Sequence, residues 1–227
     1  MTQNKSEVYV IAGNITIFLG SHAETLKQDI LHSSLLAHLA TSLNAPLDDR
    51  LSPYRKLLGS IFWTTKSSGS QILKKQPTSL LTLIELALQD FLSASQKAQI
   101  SECLTSIKRL PDQSNVIEAT LNKLQLNTPN TNNFNAESGI NIHPFLTIIL
   151  ENKTIISIQI SLDASHPVNI SFLDEHLDKE DILSDLKISK WTAYLEQEKY
   201  NSIRKTVIDK LGSKIKTDLI QVEVTQR

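Results

Sequence analysis

Residues 145 to 173, FLTIILENKTIISIQISLDASHPVNISFL, constrain the fold of this chain more than any other stretch. Aliphatic side chains there alternate with polar ones at a repeat of two, the period of a strand with one buried face. The spacing predicts three short strands, at about 144–151, 154–163 and 167–173. In the second, Ile156, Ile158, Ile160 and Leu162 turn inward while Ser157, Gln159 and Ser161 turn toward water. The first is apolar on both faces, which places it centrally.

Upstream, the pattern changes to helical. VYVIAGNITIFL, residues 8 to 19, reads as a hairpin about Gly13-Asn14, with Ala12 opposite Ile15 and Val10 opposite Ile17. Ser21 and Glu24 form a capping-box pair before a helix to Leu43, which Asn44 and Pro46 stop. Ser52-Pro53 opens a second helix reaching Lys66, followed by a break at Ser67, Ser68, Gly69 and Ser70. Three further helices fall at about 80–92, 97–110 and 115–126. The first of them is apolar around its circumference, and Ile100, Cys103, Leu104 and Ile107 share a face of the second.

Downstream of the strands, Asp178 caps a short helix through Leu186. A longer one runs from Ile188 to Leu211 with Trp191, Leu195, Ile203, Val207 and Leu211 inward, and Gly212 ends it. DLIQVEV then forms a last strand. The fold class is therefore α+β: an N-terminal β-hairpin and helical half followed by a βββααβ half with an antiparallel sheet. The divisions are 1–126, an Asn-rich loop or linker at 127–142, and 143–227.

Charge narrows the partners by exclusion. Lys and Arg total 23 against 24 for Asp and Glu, so a net charge of -1 provides no overall field for nucleic acid or an anionic membrane. No run of about 18 apolar residues occurs, so no transmembrane helix is expected. A single cysteine and an N-terminus without a cleavable signal point to the cytoplasm, with export by a route needing no cleaved signal left open by Met1 to Glu7. No glycine-rich phosphate loop, zinc spacing or nucleophile elbow occurs, and no cofactor is expected.

One constellation could carry chemistry. A two-residue turn at Asn152-Lys153 would set His143 opposite Leu162, beside Asp163 and close to Ser165 and His166. His143, Asp163 and His166 could then hold a metal, or His166 could act as a base oriented by Asp163. Against that stands the ordinary occurrence of such residues at a strand connection. Cys103 lies on an apolar stripe and reads as buried and inert. The acids from Asp174 to Asp185 suit a helix N-terminus, and the bases Lys199, Arg204, Lys205, Lys210, Lys214 and Lys216 suit a solvated face. Trp63 and Trp191 read as core anchors, and Gly59 as a close helix crossing.

The function these features favour is non-catalytic: an adaptor, chaperone, immunity or effector protein that binds another protein, with self-association possible. A small metal-assisted or acid-base hydrolase on His143, Asp163 and His166 competes with it. So does a carrier of an apolar or lipid ligand, suggested by the helix from Leu80 to Leu92.

Overall fold

A computed structural model describes residues 6–42, 51–89, 91–126 and 139–224. Leu43, the stop at Asn44 and Pro46, and the Asn-rich stretch from 127 to 138 lie outside the described residues, as do residues 1–5. The hairpin is β1 (Ser6–Ile11) and β2 (Asn14–Leu19); α1 (Glu24–Ser42), α2 (Leu51–Ser60) and β3 (Trp63–Leu73) follow. Next come α3 (Leu80–Ala87), α4 (Ala94–Lys108), α5 (Asn115–Leu124) and the short strands β4 (Gln125–Leu126) and β5 (Ile140–Ile142). The chain continues through β6 (Phe145–Ile149), β7 (Ile155–Ala164), β8 (Leu186–Leu195), α6 (Gln197–Asn201), α7 (Arg204–Leu211), α8 (Lys214–Asp218) and β9 (Leu219–Val222).

The class is α+β, built on one mostly antiparallel sheet in the order β3-β8-β7-β6-β2-β1-β9, with β5 and β4 appended to β7. The N-terminal hairpin is part of that sheet, because β2 runs parallel to β6 and β9 pairs with β1. Alternation along each strand then feeds two cores. Val8, Val10, Ile15, Ile17, Ile156, Ile158 and Ile160 pack against α3, α4 and α5. Tyr9, Ile11, Phe18, Ile149, Ile155 and Trp191 pack against α1, α2, α6 and α7. As expected, β6 is central and buried at all its positions.

Two layers of helix explain why some positions read as solvent-facing are not. Ser157 and Gln159 are buried under α1 and α2, where Ser157 bonds Thr147 and the Gln159 side chain accepts the Leu51 N–H at 2.7 Å. The hairpin turn sits at Ala12-Gly13, with φ of 47° and 82°, so Val10 pairs with Ile15 rather than Ile17. The Asn14 amide fixes it there by donating to the carbonyls of Ile11 and Ala12. Gly13 also has no room for a side chain, since a Cβ there would meet the Ala119 carbonyl and stand 2.6 Å from Lys123 Cβ.

Several elements differ from the periodicity reading. The second helix ends at Ser60, and the stretch read as its last turn and a flexible break is β3. Residues 170–173 form a 3-10 turn instead of a strand, because the Asn169 side chain accepts the Ser171 N–H at 2.8 Å and curls the backbone. Asp178 makes no side-chain cap; only Lys179–Asp181 turn before Ile182 bridges to Ala164. The long helix from Ile188 begins instead as β8, and only α6 and α7 are helical. Of the five residues read as inward, Trp191, Leu195, Val207 and Leu211 are buried and Ile203 is half-buried, and Gly212 ends α7 with φ of 52°. α1 starts at Glu24, so Ser21 precedes it by too much to cap it. Gly59 faces open space and marks no crossing.

Candidate functional site

The structure places the three candidate site residues as follows. β5 pairs with β7 so that Ile142 faces Leu162 and Asn141 faces Asp163. His143 is thereby moved one residue from the expected register, and its Nδ1 shares a 2.9 Å hydrogen bond with Ser161 Oγ. Asp163 stands on the same face of β7 two residues further on, its backbone N–H donating to Ser184 Oγ. His166 lies past the strand end, 52% exposed, with Nε2 3.2 Å from Asp181. Its pKa is raised, by the Pro167 carbonyl and then by Asp181. His143 is only 5% exposed and, with His38, Gln159 and Phe145, borders a small internal cavity. Among the described residues no three His, Cys, Asp or Glu side chains are placed to share a metal ion.

The other residues singled out by sequence are structural. Cys103 is buried, and burial pushes its thiol up to about 12. Trp63 and Trp191 stack with ring centres 5.9 Å apart, and the Trp63 indole donates to Ser33 Oγ. Asp174 and Glu175 both hold Lys108 of α4, and His176 bonds Thr82 of α3. Arg204 is not on a solvated face: it grips the buried Asp29 of α1 through two hydrogen bonds, at 2.6 and 2.9 Å. The apolar faces of α3 are filled by the core, with Leu80, Leu83, Ile84 and Ala87 buried.

What sequence reasoning missed is β3. Its first residues are held by Trp63 against Trp191, and a bulge between Thr65 and Ser67 then re-aims the strand. From Ser67 onward it stays paired to β8 but runs clear of both helical layers; Ser67 to Ile72 are exposed on both faces. Among the described residues β3 is also terminal in the sheet, and no described strand lies beside its outer N–H and C=O groups. Natural edges are blunted by shortness, charge, proline or bulges. Here seven consecutive residues, Ser67 to Leu73, carry no charge and no proline, and Ile72 is 71% exposed. The opposite edge, β9, is four residues long. A usable signal was present in the paired Thr64-Thr65 and the Ile72-Leu73 end of the segment.

These observations define a class by architecture: a helix-sheet-helix sandwich whose sheet, among the described residues, is closed at neither end and presents one long bare edge. No family model matches the sequence, and no curated protein does. Solved structures similar to it include a delta-endotoxin, 11% identical, covering 79% of each chain at a TM-score of 0.43. The Evf virulence factor is 9% identical over 89% of this chain and 81% of its own, also at 0.43. Activated Cyt2Ba from Bacillus thuringiensis subsp. israelensis is 11% identical over 79% and 96%, at 0.38. Among the described residues no helix is long and apolar enough to cross a membrane.

Proposed function

We propose that this chain works without catalysis, by binding another protein, and that it does so by accepting a strand from that protein along β3. The observation that supports this reading is the bare outer edge from Ser67 to Leu73. In strand addition the backbone supplies affinity and the alternate side chains supply specificity. An unpaired edge of about seven residues matches the length of an ordinary strand.

Successive N–H groups of an edge strand point alternately to its neighbour and to solvent, so of Ser68→Pro and Gly69→Pro one removes an outward donor. The test captures partners from an extract of the source cells and maps backbone amide exchange in the captured complex. The reading expects slowed exchange over residues 67–73 and loss of capture in one proline variant that keeps its circular dichroism spectrum. Protection elsewhere, with exchange in β3 unchanged, overturns it.

A further inference from the structure

We infer that the strand received by β3 is acidic on one of its faces and uncharged on the other. This rests on the strand-addition reading and assigns the partner's chemistry. The β3–β8 register decides which side chains stand on which side. Ser68, Ser70 and Ile72 lie opposite Trp191, Ser189 and Lys187. Trp191 belongs to the core under α1 and α2, so that set looks to the α2 side. Gly69, Gln71 and Leu73 lie opposite Lys190, Ile188 and Leu186, and the last two belong to the core under α3.

On the α2 side a cleft of about 240 Å³ has the hydroxyls of Ser68, Ser70 and Ser189 along it and Arg55 at its wall. Lys187 projects from the same face of β8, opposite the exposed Ile72. Among the described residues Arg55 and Lys187 are in no ion pair; of the two acids near Lys187, Asp163 and Asp185, the second is held by Lys74 at 2.8 Å. Hydroxyl donors beside an uncompensated guanidinium and an ammonium are the chemistry that receives a carboxylate.

On the α3 side the cleft, again about 240 Å³, is lined by Leu86, Ala87 and Ile188 together with the polar Ser70, Gln71 and Gln89. Phe91 is 42% exposed nearby. Among the described residues the cation that lines it, Lys190, is turned inward: its ammonium donates to the Ala87 carbonyl and sits 4.3 Å above the Phe91 ring. Gly69 leaves the floor open, with no heavy atom within 4 Å of where a Cβ would stand. Uncharged side chains suit this side, where Leu86 and Ile188 stand beside the Gln71 and Gln89 amides. Because side chains of a strand alternate between faces, one added strand would meet both chemistries if acidic and uncharged residues alternate along it.

The same charges argue against a second copy as the occupant. Antiparallel pairing of two β3 strands about Gly69 would bring the two Arg55 side chains onto the same ground, beside Ser68 and Ser70 of both copies. Like charges so placed repel. The occupant is therefore a segment of a different protein with alternating acidic and uncharged residues, Val standing for the latter in the probe below.

The probe is a fluorescent peptide of about eight residues with Glu and Val alternating, mixed with the full chain and followed by anisotropy. Its controls are a Lys/Val peptide and a peptide with the Glu residues grouped before the Val residues. The inference expects the Glu/Val peptide alone to bind, more weakly as salt is raised. Arg55→Glu with Lys187→Glu should weaken it by at least about tenfold and favour the Lys/Val peptide, both sites being at the surface. If Glu/Val and Lys/Val peptides bind alike and a proline variant in β3 abolishes both, strand addition survives and the charge assignment is wrong. If no peptide binds and neither proline variant alters partner capture, both readings fail. Reversible dimers in sedimentation that Gly69→Pro dissociates would identify a second copy as the occupant and overturn the inference.

Discussion

Replacing Arg204 with Ala would test how α7 is held to α1. The Asp29 carboxylate is 1% exposed, and Arg204 bonds both of its oxygens in a fork; among the described residues Gln197 also bonds it, at 3.4 Å. Removing one member of a buried pair strands an uncompensated charge, at about 3–5 kcal/mol. Arg204 itself is a third exposed, so water can reach part of the site and the lower end, about 3 kcal/mol, is the expected loss. That is a large share of a domain's total of about 5–15 kcal/mol. In urea unfolding followed by tryptophan fluorescence and circular dichroism, it corresponds to a midpoint lower by about 1 M. Lys at 204 should recover part of the loss, because an ammonium restores charge but not the fork. Asp29→Leu combined with Arg204→Met should be far closer to wild type than the sum of the single changes. A loss under about 1 kcal/mol in Arg204→Ala, or strict additivity in the double variant, would refute the reasoning.

Three further outcomes are expected. Gly13→Ala should cost at least about 1–2 kcal/mol, since φ is 82° and α5 crowds the site, whereas Gly59→Ala, in open space on α2, should be neutral or stabilise by up to about 1 kcal/mol; thermal unfolding of the two variants compares them directly. Cys103 should resist maleimide in the native protein at neutral pH and react promptly in urea, because burial holds its thiol at about 12. Burial lowers the pKa of His32, so the unfolded chain binds a proton that the folded chain refuses; its contribution to stability is full above the ordinary histidine pKa of about 6.5 and declines as pH falls toward the depressed value. Stability measured from pH 7.5 down to 5 should show that decline, and His32→Gln should flatten it.

The sequence determined this protein wherever a segment's own side chains announce its surroundings. β1 and β2 follow from alternation and a turn that tolerates positive φ; β6 follows from its unbroken apolar run, and α4 from a stripe that buries Ile100, Cys103, Leu104 and Ile107. His143 lies beside β7, but the turn takes three residues, Glu151 to Lys153, instead of two, and its neighbour is Ser161 rather than Leu162. Tertiary structure decided the rest. β8 is buried at Ile188 on one side and at Trp191 and Leu195 on the other, and that spacing of three and four residues is the spacing of a helix. β3 is the opposite case: with both faces in water it has no alternation to read, and its strand state comes from hydrogen bonds to β8, a partner more than a hundred residues away. The bare edge was hidden for the same reason, because an edge is defined by the strand that is missing beside it, and a linear sequence carries no record of which strands are neighbours.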